Sequence, residues 1–321
     1  MIRQHTIRTV YPVGPVHCYS SELGGELVLF DTGPPTREAR ECLRREVDLP
    51  RLRHIVVTHC HIDHCGLISW LARETAATLY LPYRDILKFV RHEERLAKLG
   101  ELLLAAGFDD KFLVDFRREM DEGEVFTSLP ERYRTVESDL PEHLGLEVIS
   151  CPGHSQSDLV LAGPHWAVTG DVLLRGIFQV PLLDIDLETG RRFNNYRAYC
   201  TTIGRLAALR GRQILPGHRE SIVSIDESIL FYVGKLLDRA VQLKQFARQD
   251  DVAHIVSRLF GTKQSSPFFY YLKASEVIFM RDFLSDPGQL RSALERIGLF
   301  EQVVEKFMQT AGPRASVAKS A

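Results

Sequence analysis

Thr58-His59-Cys60-His61-Ile62-Asp63-His64 is the stretch that decides how this chain is read. Three imidazoles and a carboxylate within six residues are costly to place beside a core unless they bind something. The residues leading into them, His54-Ile-Val-Val-Thr58, read as a buried strand, so the cluster falls where the chain leaves the interior. His59 and His61, two apart on an extended turn, can point toward one ion, while Asp63 and His64 fall on the next turn and can face a second. A lone histidine would be an ordinary polar residue. Four such groups directly after one strand read as metal ligands.

Three further pieces follow the same logic. Pro152-Gly-His154 comes after a strand predicted at 146–149, Thr169-Gly-Asp171 after one at Trp166, and Leu215-Pro-Gly-His218 after one at Ile214. Each puts a ligand-type residue at the end of an apolar run, where side chains leave the core and line a common edge. Ligand chemistry then sorts the set: His59, His61 and His154 for one ion, Asp63, His64 and His218 for a second, and Asp171 between them. Neutral imidazole favours zinc among the divalent metals, with iron or manganese as alternatives.

Working outward, Leu27-Val-Leu-Phe30 is a short β-rich run closed by Asp31-Thr-Gly-Pro-Pro35, and a helix is predicted over 36–47 with Thr36 as its N-cap. A helix from about Gly66 and a strand at 78–81 follow. Residues 84–122 change character: apolar positions at helical spacing (Ile86, Leu87, Phe89, Val90, then Leu96, Leu99, Leu102, Leu103) predict an inserted helical pair, read equally as a surface addition or a lid. A long loop is expected over 173–193, then a helix over 195–209. Beyond 226 only helices are predicted, at 229–247, 252–260, 275–283 and 289–308, and the small, polar tail 312–321 reads as disordered.

These motifs, Asp31, the His59–His64 cluster, His154, Asp171 and His218 in that order, resemble the metallo-β-lactamase superfamily over about residues 1–225. The resemblance implies an α/β fold, a four-layer αβ/βα sandwich of two mixed sheets with helices outside and metals at one edge. Here it would carry the 84–122 insertion and an all-helical segment over 226–311. It also implies that Asp31 orients a metal-binding histidine rather than ligating. In layout the chain resembles an intracellular subgroup that includes β-lactamase-like protein 2 and the quinolone-signal thioesterase.

The expected activity is hydrolysis with two divalent ions: hydroxide formed at the ions attacks a carbonyl or phosphoryl centre, and Asp63 either relays a proton or serves only as a ligand. An ester or thioester of a small molecule is the favoured substrate, with lactone or phosphodiester hydrolysis as alternatives. Arg175, Phe178, Tyr196 and Tyr199 are candidates to line its pocket. A reading from another class is a metal-retaining signalling or binding protein acting through its helices. Leu230, Val233, Leu236, Leu237, Val241 and Leu243 suit a homodimer seam and intrachain packing equally.

Bulk properties narrow the field. Forty basic against forty-two acidic side chains give a formal charge of −2 without a basic run, which argues against nucleic acid as the main partner. No apolar stretch reaches the ~20 residues of a membrane helix and the N-terminus has no signal-type apolar region, so a cytoplasmic location is expected. The six cysteines form no paired framework, as in a reducing compartment, and Cys60, between two ligand positions, reads as packing.

Overall fold

Val28 and Phe30 leave their strand on one side and Leu29 on the other, and this alternation sets the layering of the whole molecule. A computed structural model describes residues 2–11, 13–122, 128–246, 250–261 and 266–312; residues 313–321 of the tail expected to be disordered lie outside the described residues. In the first sheet β1 (Arg3–Ile7), β2 (Val16–Leu23) and β3 (Glu26–Phe30) run antiparallel. Strands β4 (Leu52–Val56), β5 (Thr78–Leu81) and β6 (Arg134–Thr135) continue it parallel to β3. The second sheet is built from β7 (Glu147–Ser150), β8 (Leu159–Ala162) and β9 (Trp166–Gly170). After a small hairpin of β10 (Ile185–Asp186) and β11 (Arg191–Arg192), β12 (Gln213–Pro216) completes it in the order β12-β9-β8-β7.

The inner faces meet in one apolar layer: Tyr19, Val28, Phe30, Val56 and Tyr80 from the first sheet against Leu159, Leu161, Val168 and Leu215 from the second. On the outer face of the first sheet, Leu29, Ile55 and Leu79 pack with α1 (Arg37–Glu46), which Thr36 caps by accepting the Ala39 N–H at 3.1 Å. The short α2 (Ile62–Cys65) and then α3 (Ile68–Glu74) follow β4, and α3 adds Trp70 and Leu71 to the same cluster. The expected four-layer sandwich is therefore present.

The insertion folds as three helices rather than two: α4 (Tyr83–Val90), α5 (His92–Ala105) and α6 (Asp110–Glu122). The chain breaks its helical geometry at Arg91 (φ −113°, ψ 36°), where the apolar spacing alone gives no warning. Leu96, Leu99, Leu103, Phe116 and Met120 pack together with Leu183 and Tyr271, so this apolar face is consumed internally. A single turn, α7 (Val136–Asp139), follows β6.

Outside the second sheet, Val160, Ala162, Ala167 and Ile214 share one core with α8 (Asn195–Ala207) and with the C-terminal helices α9 (Ile225–Leu243), α10 (Val252–Phe260), α11 (Pro267–Ser285), α12 (Pro287–Arg296) and α13 (Val304–Ala311). Val233, Leu236, Leu237 and Leu243 of the proposed dimer seam are buried in that intrachain core, while Val241 is exposed. Ser224 starts α9 earlier than the apolar pattern suggests by accepting the Glu227 N–H. Gly298 at φ 76° lies in the stretch that divides the long helix expected over 289–308.

Candidate metal centre

Strand direction explains why distant ligands meet. β3 and β4 run parallel in one sheet, β9 and β12 parallel in the other, and β7, two antiparallel steps from β9, shares its direction. The residues that follow these strands therefore leave the sandwich at matching ends: Asp31 after β3, Thr58–His64 after β4, His154 after β7, Asp171 after β9 and His218 after β12. The two sheets are tied together at this edge by the Leu159 N–H donating to Thr58 O at 3.0 Å and the His17 N–H donating to Gly217 O at 2.7 Å.

The ligand atoms gather as three overlapping groups, His59–His61–His154, His59–His64–Asp171 and Asp63–His64–His218, each within 4.8 Å. His61 Nδ1 and His154 Nε2 face each other at 3.1 Å. Asp171 joins the groups: its Oδ1 lies 3.3 Å from His64 Nε2 and 3.7 Å from His218 Nε2, and its Oδ2 lies 3.9 Å from His154 Nε2. Asp63 Oδ2 is 3.2 Å from His218 Nε2. All seven expected ligand residues are brought together.

The outer hydrogen bonds fix the tautomers. His154 Nδ1 meets Val180 O at 2.7 Å, His218 Nδ1 meets Pro15 O at 2.8 Å and His64 Nδ1 meets Asp31 Oδ2 at 2.9 Å. Oxygens of these kinds only accept, so each Nδ1 carries the proton and each Nε2 presents a lone pair inward. Thr58 Oγ1 donates to Asp31 Oδ2 at 2.9 Å, so it accepts from His59 Nδ1 at 3.1 Å. Asp31 thereby orients His64 directly and His59 through Thr58. Thr58, Pro15 and Val180 were not picked out from sequence, because two of them act through backbone carbonyls that any residue carries.

Four inward atoms, His59 Nε2, His64 Nε2, His218 Nε2 and Asp171 Oδ1, are buried with no hydrogen-bond partner. Orphaned polar atoms of this kind cost ~1–3 kcal/mol each, a burden that coordination to a cation removes. Space is reserved as well: a Cβ at Gly217 would lie 2.5 Å from His64 Cε1 and 2.7 Å from Asp171 Oδ1. The electrostatics agree. Burial, reinforced by neighbouring imidazoles, pushes His59 and His61 well below the usual histidine range, so they are neutral donors. Burial also opposes charge on His64, yet Asp171, Asp63 and Asp31 overcome it and hold His64 well above that range. Despite burial, Asp63 and Asp171 are drawn down to about 2 by His64 and His218. Three carboxylates gathered around His64 make this a cavity that attracts positive charge, and the residues present fit divalent metal.

A second polar cluster, missed by the sequence reading, braces the first. The Cys60 N–H, between His59 and His61, donates to Asp85 Oδ2 at 2.7 Å. Asp85 also accepts from Ser157 Oγ at 2.6 Å and pairs with Lys88 at 2.9 Å. Lys88 lies 3.6 Å from Asp184, which pairs with Arg95 at 2.7 Å and accepts from Gln156 Nε2 at 3.0 Å. All are buried. The insertion is thus clamped through α4 and α5 to the metal-site loops. The available signal was an acid and a base at i and i+3 on a helix flanked by apolar residues, a pattern that reads more simply as a solvated surface pair.

The pocket candidates lie elsewhere. Phe178 stacks on Tyr232 at 4.4 Å with Arg239 over its other side, and Tyr199 joins the same aromatic group at 4.5 Å from Tyr232. Tyr196 is buried, its hydroxyl donating to Asp286 O at 2.8 Å, and Arg175 is exposed and paired with Glu220. The three aromatics are core residues between α8, α9 and α11. A single aromatic, whether in the loop like Phe178 or on α8 like Tyr196 and Tyr199, gives no sequence sign of which distant neighbour it will stack on.

Two sheets face to face, with a histidine-and-aspartate centre at one edge, define a metal-dependent hydrolase class. A family profile described as the metallo-beta-lactamase superfamily matches residues 11–218, and the chain belongs to that superfamily. It is 25% identical over 284 residues to "Probable metallo-hydrolase YqjP" of Bacillus subtilis (strain 168), covering 82% of this chain and 81% of the relative. Its fold is similar to that of a metallo-beta-lactamase family protein from Thermus thermophilus (TM-score 0.70, 20% identity, 89% of this chain and 94% of the other). A beta-lactamase domain protein from Burkholderia ambifaria is also similar (TM-score 0.67, 19% identity, 89% and 86%). Among the described residues no helix is long and apolar enough to cross a membrane.

Proposed function

We propose that the centre takes two divalent ions, zinc in preference to iron or manganese, and that the protein hydrolyses an ester or thioester of a small molecule. The observation that carries this reading is the convergence of four buried, unpartnered ligand atoms, with Asp171 reaching both groups of histidines. Bound divalent ions supply Lewis acidity, lowering the pKa of water toward about 7 and polarising a carbonyl oxygen.

The chain's own residues do the rest. Val180 O, Pro15 O, Thr58 and Asp31 hold the imidazoles in the tautomer that leaves Nε2 free. Asp63, ionised and partly open beside His218, is placed to accept a proton at Oδ2 as water attacks. The Asp85 carboxylate keeps the His59–His61 turn from relaxing. Acyl rather than phosphoryl substrates are supported by charge: the buried cations near the centre, Lys88 and Arg95, are already matched to Asp85 and Asp184.

Elemental analysis of the purified protein, followed by turnover of a panel of thioesters, carboxylic esters, lactones and phosphodiesters, tests the reading. Two metals per chain and metal-dependent acyl hydrolysis, much reduced in Asp63→Ala, are expected. A metal-loaded protein that turns over only phosphodiesters, or no ester of any class, overturns it.

A further inference from the structure

Outside the catalytic edge, a separate trio of ligand-type side chains meets where β3, β4 and the turn Glu142–Leu144 come together. Glu26 opens β3, His54 lies in β4 opposite Val28, and His143 sits in the turn. His54 Nε2 and His143 Nε2 both lie 2.7 Å from the same oxygen, Glu26 Oε2. We propose that Glu26, His54 and His143 form a peripheral site for a divalent first-row cation, distinct from the catalytic centre.

The chemistry of the set is the first argument. Two imidazoles and one carboxylate are the ligands of an open three-residue site, completed by water, and suit zinc, nickel or copper better than magnesium or calcium. The burial of His54 is the second. His54 is buried in β4 and its Nε2 is held 2.7 Å from Glu26 Oε2, so this donor is fixed in place by the strand before any ion arrives. The third is preorganisation. Gly24, at φ +56°, lies so close beneath His143 that a Cβ there would come within 2.6 Å of its carbonyl oxygen, and Gly145 at φ +63° closes the turn on the other side. The backbone thus presses His143 toward Glu26, while its exposed ring leaves a path for an ion. Without a cation the two Nε2–H groups share Glu26 Oε2; with an ion at Nε2 each ring carries its one proton on Nδ1, leaving two neutral imidazoles and a carboxylate as donors.

The ion would tie the first residue of β3 and the β4 strand, which runs on into His59, to the turn that precedes the second sheet. Zinc titration of the full chain, with catalytic sites saturated, should find one more equivalent bound by wild type than by His143→Ala, whose side chain is exposed. Glu26→Gln, which keeps the shape of the side chain, should bind that ion at least 10-fold more weakly and lose most of the zinc-dependent rise in Tm. Equal metal content in wild type and both variants, or an identical zinc-dependent rise in Tm, overturns the proposal. Because the readout is a difference between wild type and variants, it does not depend on which substrate the catalytic centre turns over.

Discussion

The carboxylate of Asp31 meets His64 Nδ1 at 2.9 Å while the same oxygen accepts the Thr58 hydroxyl, so a single atom sets the orientation of one histidine in each half of the centre. Asp31 holds this post at φ 57°, a backbone region that aspartate tolerates better than most side chains. Replacing it with alanine keeps the seven candidate ligand residues but removes the acceptor that aims His64 and, through Thr58, His59, together with the bond from the Thr58 N–H. Loss of such an orienting partner typically weakens metal affinity by ~10–100-fold. Competition with a chromophoric chelator should show a loss of that size in Asp31→Ala, and an unchanged affinity would mean the imidazoles are fixed by packing alone.

Removing the metals should destabilise as well as inactivate. The emptied cavity leaves Asp63, Asp171 and Asp31 crowded around His64, with buried atoms unpaired. Each ion held at 100 times its dissociation constant adds about 2.7 kcal/mol to the folded state. Dialysis against a chelator should therefore lower Tm and abolish hydrolysis, and re-addition of zinc should restore both.

Gly217 gives a sharper probe of the same cavity. A methyl group there would occupy the space between His64 and Asp171. Gly217→Ala should lose metal binding while retaining the circular-dichroism spectrum of the wild type. Full occupancy in that variant would show that the two side chains can separate without consequence.

The buried pair of Asp184 with Arg95 predicts a pH dependence whose sign follows from its surroundings. Burial alone would raise the Asp184 pKa, but Arg95 and Lys88 outweigh it and depress it. The native carboxylate therefore holds fewer protons than the unfolded one. Its stabilisation is present above the unfolded value of about 3.9 and is lost as pH falls through the lower native value. Asp184→Asn should cost ~3–5 kcal/mol at neutral pH by leaving Arg95 and Lys88 underpaired. Urea midpoints of wild type and variant should converge below about pH 4; a gap that persists in acid would mean the loss is one of packing, not charge.

How much of this was legible beforehand depends on distance along the chain. The candidate ligands between His59 and His64 are neighbours in sequence and carry a chemistry found in few other contexts, so the superfamily and its fold could be read directly. Asp85 and Cys60 are 25 residues apart, and Ser157 and Asp184 come from other loops, so the clamp exists only after folding. β1 and β2 went unread for a different reason. β1 buries His5, and β2 buries His17, Ser20 and Ser21, with specific partners such as His5 with Ser20 at 2.8 Å, which leaves little apolar alternation to detect.

Phe178 separates packing from substrate contact. It is buried with one ring face on Tyr232 and the Arg239 guanidinium 4.3 Å from its ring centroid, and Phe279 meets it edge-on. Truncating such a residue removes apolar contacts and leaves a cavity that the surrounding helices close only in part, at ~3–5 kcal/mol. Phe178→Ala should therefore lower the denaturant midpoint strongly while KM for a thioester substrate stays near the wild-type value, because the side chain is spent on α9 and α11. Had the ring lined the substrate pocket, the order of effects would reverse: KM would rise several-fold and stability would move little. Measuring both on one preparation distinguishes the two, and a large KM effect with an unmoved midpoint would return Phe178 to the pocket.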